Sequence, residues 1–132
     1  MLVIKLILAW CAGMTALVVL DLVWIGLLAS NFYKNQTGHL LNMVDGNMQV
    51  NIPAALATWA VIVTGVQVFV FPRAGASASL LQVLIWGAVF GAVVYAVYDL
   101  TNYALLKDWP LVVTVVDILW GAVVCSLTAT AM

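Results

Sequence analysis

Apolar residues fill four stretches of the chain, at about 4–29, 52–71, 80–105 and 109–131, and polar residues gather between them and at a few positions inside them. A helix crossing a bilayer core needs about 20 predominantly apolar residues, and each stretch is long enough. A continuous apolar run has no period that separates buried strand from helix, but lengths of about 20 residues favour helix. The pattern therefore predicts an all-α integral membrane bundle of four transmembrane helices, forming one domain over residues 1–132. The one long polar stretch is 30–51. Phe32, Tyr33, Leu40, Leu41, Met43 and Met48 punctuate it, which predicts a short amphipathic segment lying on the membrane surface as a lid.

The polar positions inside the helices fall on defined faces. At about 100° per residue, Trp10, Met14, Leu17, Asp21, Trp24 and Leu28 share one face of the first helix. Asn51 and Pro53 mark the start of the second, as a cap and a first-turn proline. That helix carries Thr58, Trp59, Thr64 and Gln67, stops at Phe71-Pro72-Arg73, and gives way to a small-residue turn at Ala74–Ser79. In the third helix, Gly87 and Gly91 form a small-x-x-x-small pair that permits close helix approach in membranes. Gly87, Gly91, Tyr95, Tyr98 and Asn102 lie within roughly 80° of one another, with Asp99 at the border of that sector. Asp108-Trp109-Pro110 starts the fourth helix, in which Thr114, Asp117, Gly121, Cys125 and Thr128 share a face and Trp120 flanks it.

Alternating crossings put both termini on one side of the membrane and the connections after helices one and three on the other. Asp21 lies about eight residues before its helix ends and Asp99 a similar distance before its own, Asp117 about eight after its helix begins, and Thr58 and Trp59 about seven into theirs. At about 1.5 Å per residue, all sit roughly 10–12 Å below the same surface. Three acids at one depth, each on an inward face, are expected to converge. An intramembrane carboxylate costs about 2.5–3.5 kcal/mol on insertion scales, so three charged and lipid-exposed ones would cost roughly 7–10. Lys107 and Lys34 could reach inward only from the surface. Desolvation and mutual repulsion therefore favour a shared proton, or carboxylic acids bonded to Tyr95, Tyr98 or Asn102. The candidate pocket comprises Asp21, Trp24, Trp59, Tyr95, Tyr98, Asp99, Asn102, Asp117 and Trp120. Trp24 and Trp120 would form its ring walls. Asp21-Leu22-Val23-Trp24 echoes Asp117-Ile118-Leu119-Trp120, although antiparallel helices do not make a simple parallel duplication.

Composition narrows the function. The 132 residues are 67% hydrophobic and 7% charged, with a mean hydropathy of +1.20. Soluble domains keep about a quarter of their residues charged, so the lipid bilayer is the expected surrounding. A net charge of −1 with four Lys and Arg leaves no basic patch for nucleic acid. Lys5 precedes an apolar run too long for a signal-peptide core, and that run carries Asp21, so the first helix is expected to stay uncleaved. Cys11 and Cys125 fall inside helices and are expected as reduced thiols. With His39 as the single histidine and no Cys-x-x-Cys, no metal or other cofactor is expected. Lys5 and Arg73 stand on one side and Lys34 and Lys107 on the other, so counting positive residues favours neither orientation.

Five motifs, Asp21-Leu22-x-Trp24, Phe32-Tyr33, Tyr98-Asp99-Leu100-Thr101-Asn102, Leu106-Lys107-Asp108-Trp109-Pro110 and Asp117-x-x-Trp120-Gly121, together resemble a bacterial membrane family catalogued as domain of unknown function 2177. The chain departs from that pattern in the second helix, where Thr58-Trp59 stands in place of a Phe-Tyr pair. The resemblance implies a small four-helix protein of the bacterial inner membrane and no particular activity. Three functional readings stay open. In one, a small hydrophobic molecule or a proton binds or moves through the acidic pocket, with a homodimer completing a transport path. Another is a membrane enzyme acting on a lipid-soluble substrate by Asp acid–base chemistry, against which stands the lack of a partnered nucleophile, metal set or nucleotide loop. The remaining one is an accessory subunit of a membrane complex, with the acids holding the helices together.

Overall fold

The computed structural model describes residues 1–75 and 77–132, so Ala76 of the Ala74–Ser79 turn lies outside the described residues. Among the described residues, four helices are long and apolar enough to cross a membrane: α1 at Leu2–Leu28, α3 at Ile52–Ala74, α4 at Leu80–Leu105 and α5 at Leu111–Ala131. Between α1 and α3 lie a helix, α2, at Ser30–Thr37 and a two-stranded hairpin, β1 Met43–Val44 with β2 Asn47–Met48. The hairpin has a local cause. Asp45 and Gly46 both hold positive φ, 49° and 77°, and Asp-Gly is a preferred pair for a two-residue turn of that kind.

The boundaries of α3, α4 and α5 answer to nearby residues. Asn51 accepts the Ala54 amide at 3.1 Å and starts α3. Ser79 and Gln82 exchange side-chain and backbone bonds as a capping box at the start of α4. The structure carries α3 past Pro72 to Ala74 because that proline sits in the first turn of a fresh helical segment, Phe71–Ala74, where a missing amide costs little. A π-helical turn at Val66–Val70 precedes it. At the start of α5, Asp108 takes φ 61° and Pro110 is extended (φ −76°, ψ 126°). The helix therefore begins at Leu111 rather than at Trp109.

The bundle closes most tightly between α4 and α5. The inward stripe of α4 runs Gly87, Gly91, Tyr95, Asp99, and the facing stripe of α5 runs Asp117, Gly121, Cys125, Ala129. Both advance by four residues, so the two ridges interdigitate in the packing that uses i±4 rows. A Cβ added at Gly91 would land on the Gly121 carbonyl, and one at Gly121 on the Tyr95 ring. Bare backbone at these two positions is what sets the helix separation. On the other side, α1 clasps α3 through Trp10 Nε1 to Thr64 Oγ1 at 3.0 Å and Gln67 Nε2 to the Leu6 carbonyl at 3.1 Å. Leu17, Val63, Val66, Val124 and Cys125 fill the centre, each fully buried.

Candidate functional site: a buried acidic cluster

The ends of the four crossings nearest α2 bring the acids to one end of the bundle. The rotation of each helix decides what each acid meets. Asp21, two residues before the end of the regular part of α1, is 5% exposed. Its Oδ2 accepts the Trp59 indole N–H of α3 at 2.7 Å, and its Oδ1 accepts the Trp120 N–H of α5 at 2.9 Å. One carboxyl thus ties three crossings together.

The second group sits beside it. Trp24 stacks flat on Trp120, with ring centroids 4.4 Å apart and planes within 6°. The Trp24 N–H donates to the Tyr33 hydroxyl at 3.0 Å, and Tyr33 donates in turn to Asp117 Oδ1. Thus the two Asp-x-x-Trp motifs interlock crosswise. The tryptophan of α5 serves the acid of α1, and the tryptophan of α1 reaches the acid of α5 through Tyr33. Tyr33 arrives from α2, which Thr37 helps hold by donating its buried hydroxyl to the Tyr33 carbonyl at 2.9 Å. Burial, and then the hydrogen bond to Asp117, pushes the Tyr33 phenol above its ordinary range. It stays a donor throughout the physiological range.

Asp99 is wholly buried at 0% exposure, and the seam that sets Gly91 against Gly121 and Tyr95 against Gly121 puts it on the stripe facing Asp117. Neither of its oxygens has a hydrogen-bond donor among the described residues, and the amide nitrogen of Asn102, one turn away, is also buried without a partner. Two carboxylates can bond to each other only through a proton, because an ionised carboxylate is an acceptor alone. Tyr33 is the donor that reaches this pair, through its bond to Asp117. Lys107 stays exposed.

Of the nine candidate residues, Asp21, Trp24, Trp59, Asp99, Asp117 and Trp120 are joined by these contacts. Tyr95 packs against Gly121 beside them, and Asn102 borders Asp99. Tyr98 is not part of the cluster. It is 61% exposed and meets Trp109 edge-on at 6.3 Å. Its place is a correction with a geometric cause: the four-residue ridge turns Asp99 to the centre of the inward face and carries Tyr98 out. Thr58 also faces outward, its hydroxyl bonded to the Ala54 carbonyl of its own helix at 3.0 Å. Leu28, expected on the inner face of α1, is 72% exposed. The wide π-helical turn at Trp24–Leu28 shifts the register there. Tyr33 is the functional candidate that face counting misses; its sequence signals are an aromatic in a polar stretch and the Phe32-Tyr33 motif.

Taken together, the apolar crossings and the polar cluster sealed inside them define a multi-pass membrane protein. The chain belongs to DUF2177, a family described as a predicted membrane protein, whose model matches residues 6–132. No curated protein and no solved structure matches the chain.

Proposed function

We propose that the Asp99–Asp117 pair is a proton-binding site, and that the protein binds or moves a proton, or a small hydrophobic molecule together with one, beneath the α2 lid. The observation that carries this reading is the orphaned carboxyl of Asp99, fully buried, on the stripe facing a second acid and without a donor among the described residues. An arrangement this costly, held in a membrane interior, is a functional candidate by default. One proton between the two carboxyls removes both the repulsion and the missing hydrogen bond. Tyr33 then controls access, because it bonds Asp117 from a segment that is not itself a crossing.

Asp21 supports the structural reading instead. Both of its oxygens are satisfied by indoles from two other crossings, so it serves as the tie and the other two acids as the site. The cell-membrane location in bacteria that the family resemblance implies, and a homodimer or complex as the working unit, belong to this proposal too.

The test compares wild type with Asp99→Asn and Asp117→Asn, in detergent for stability and in liposomes for proton uptake. Asn at 99 supplies the hydrogen the pair lacks, so that variant should keep the wild-type unfolding temperature. It should lose the infrared carbonyl band of a protonated carboxyl and the proton uptake that goes with it. If both variants unfold the bundle while proton binding to the remaining folded fraction is unchanged, the acids are structural and the proposal fails.

A further inference from the structure

A different face of the molecule, away from the acids, carries a second site. The α4 helix meets α3 chiefly at Val66–Val70 and Phe71–Ala74, while the bonds to Trp10 and Leu6 hold α3 towards α1. Between α3 and α4 an open groove of about 640 Å³ remains, lined by Ala60, Val61, Gly65, Val68, Phe90 and Val94. A second hollow of about 300 Å³ shares Phe69 and Phe90 with it and ends at Arg73 and Trp86. We infer that this groove binds one anionic phospholipid, with an acyl chain along the apolar wall and the phosphate on Arg73.

Length, charge and geometry agree on that occupant. From Arg73 to Ala60 the helix rises about 20 Å, against about 15 Å for half of a hydrocarbon core roughly 30 Å thick. A chain anchored at Arg73 therefore stays in the groove for the whole depth of one leaflet. The charge argument comes from the topology. All five acidic side chains, Asp21, Asp45, Asp99, Asp108 and Asp117, lie in the lid-side half or its loops, whereas Lys5 and Arg73 lie at the opposite end. Arg73 thus has no Asp or Glu side chain within its half of the bundle. Its guanidinium lies over the Trp86 ring at 5.1 Å, which covers one face and leaves the N–H edge without a hydrogen-bond partner among the described residues. A guanidinium edge at headgroup level suits the paired bonding of a phosphate. A second copy of the chain docked in parallel on the same face would instead bring a second Arg73 towards the first.

The test is native mass spectrometry of the full chain in mild detergent with phosphatidylglycerol and phosphatidylcholine added in equal amounts. The wild type should retain one phosphatidylglycerol in preference to phosphatidylcholine. Arg73→Gln should lower that preference about fivefold, the factor that corresponds to the roughly 1 kcal/mol a basic residue contributes near an anionic surface, and Arg73→Lys should keep most of it. Val61→Phe, which fills the groove, should weaken both lipids while preserving the preference. Circular dichroism confirms that each variant is folded. An unchanged preference in Arg73→Gln, or unchanged lipid retention in Val61→Phe, overturns the inference. So does a lipid-free dimer that Val61→Phe dissociates.

Discussion

Tyr33 and Asp117 are separated by 84 positions in the chain, yet the phenol of the first donates its hydrogen directly to the carboxyl of the second. This bond is the main polar link between α2 and the crossings, since Trp24 reaches the lid through the same hydroxyl. Tyr33→Phe should therefore release the lid and leave the bundle standing. A hydrogen bond to a charged group contributes about 1.5–3 kcal/mol, so amide-exchange protection over Ser30–Thr37 should fall by roughly one to two orders of magnitude. Protection in α4 and α5 should not change. Equal loss across all helices would show that α2 is not a separable element.

The same phenol makes lid docking sensitive to alkali. Tyr33 is raised above its ordinary value of 10.0, first by burial and then by its bond to Asp117. The docked state consequently holds the proton more firmly than the undocked state. Docking is at full strength below about pH 10 and weakens as pH rises beyond it, because the undocked state then gains stability by ionising. Limited proteolysis of the 38–51 stretch should accelerate above pH 10 in the wild type. Tyr33→Phe, already undocked, should show a flat profile across the same window.

Trp120 does two jobs, stacking on Trp24 and donating to Asp21. Trp120→Phe keeps a ring but leaves Asp21 Oδ1 buried without that donor. Leaving a buried acceptor unsatisfied costs about 1–3 kcal/mol, and the weaker stack adds about 0.5–1.5. A loss of roughly 2–4 kcal/mol should appear in denaturant unfolding in detergent. Trp59→Phe, which removes the other indole donor to Asp21 without touching the stack, should cost less. A larger loss at 59 than at 120 would contradict this assignment of roles.

How far the sequence carries the fold depends on which force decides each feature. The four crossings are legible because the bilayer permits few spanning structures and each helix satisfies its own backbone. The common depth of Asp21, Asp99 and Asp117 is legible because rise per residue is fixed. Rotation is less legible. Ideal spacing put Tyr98 inside and Asp99 at the edge, whereas the contact between Gly91 and Gly121 makes α4 and α5 cross along their four-residue ridges, which reverses the two. Leu28 fails for a similar reason, since nothing in Trp24–Leu28 announces a π-helical turn. The partnership of Tyr33 with Asp117 lies further out of reach, because it depends on how a surface helix folds back. The Asp45-Gly46 hairpin, by contrast, has a local signature in the turn pair itself.

The close approach at Gly91 makes the last prediction the most demanding. A methyl group there would meet the backbone carbonyl of Gly121, and backbone cannot rotate away as a side chain can. The α4 and α5 helices would have to separate, at a cost of about 1–3 kcal/mol or more for overpacking. Gly26→Ala is the control, because nothing lies within 4 Å of the added carbon. That change should be neutral or slightly stabilising, since alanine restricts the unfolded chain more than glycine does. The consequence of Gly91→Ala should also travel along the ridge. Asp99 stands two turns further along α4 and faces Asp117 one turn before Gly121, so widening the helix pair draws the two carboxyls apart. In the infrared spectrum of Gly91→Ala, the carboxyl band of the pair should shift even though neither acid has been altered. A destabilised variant with an unshifted band would mean that the acids hold their contact independently of the glycine seam.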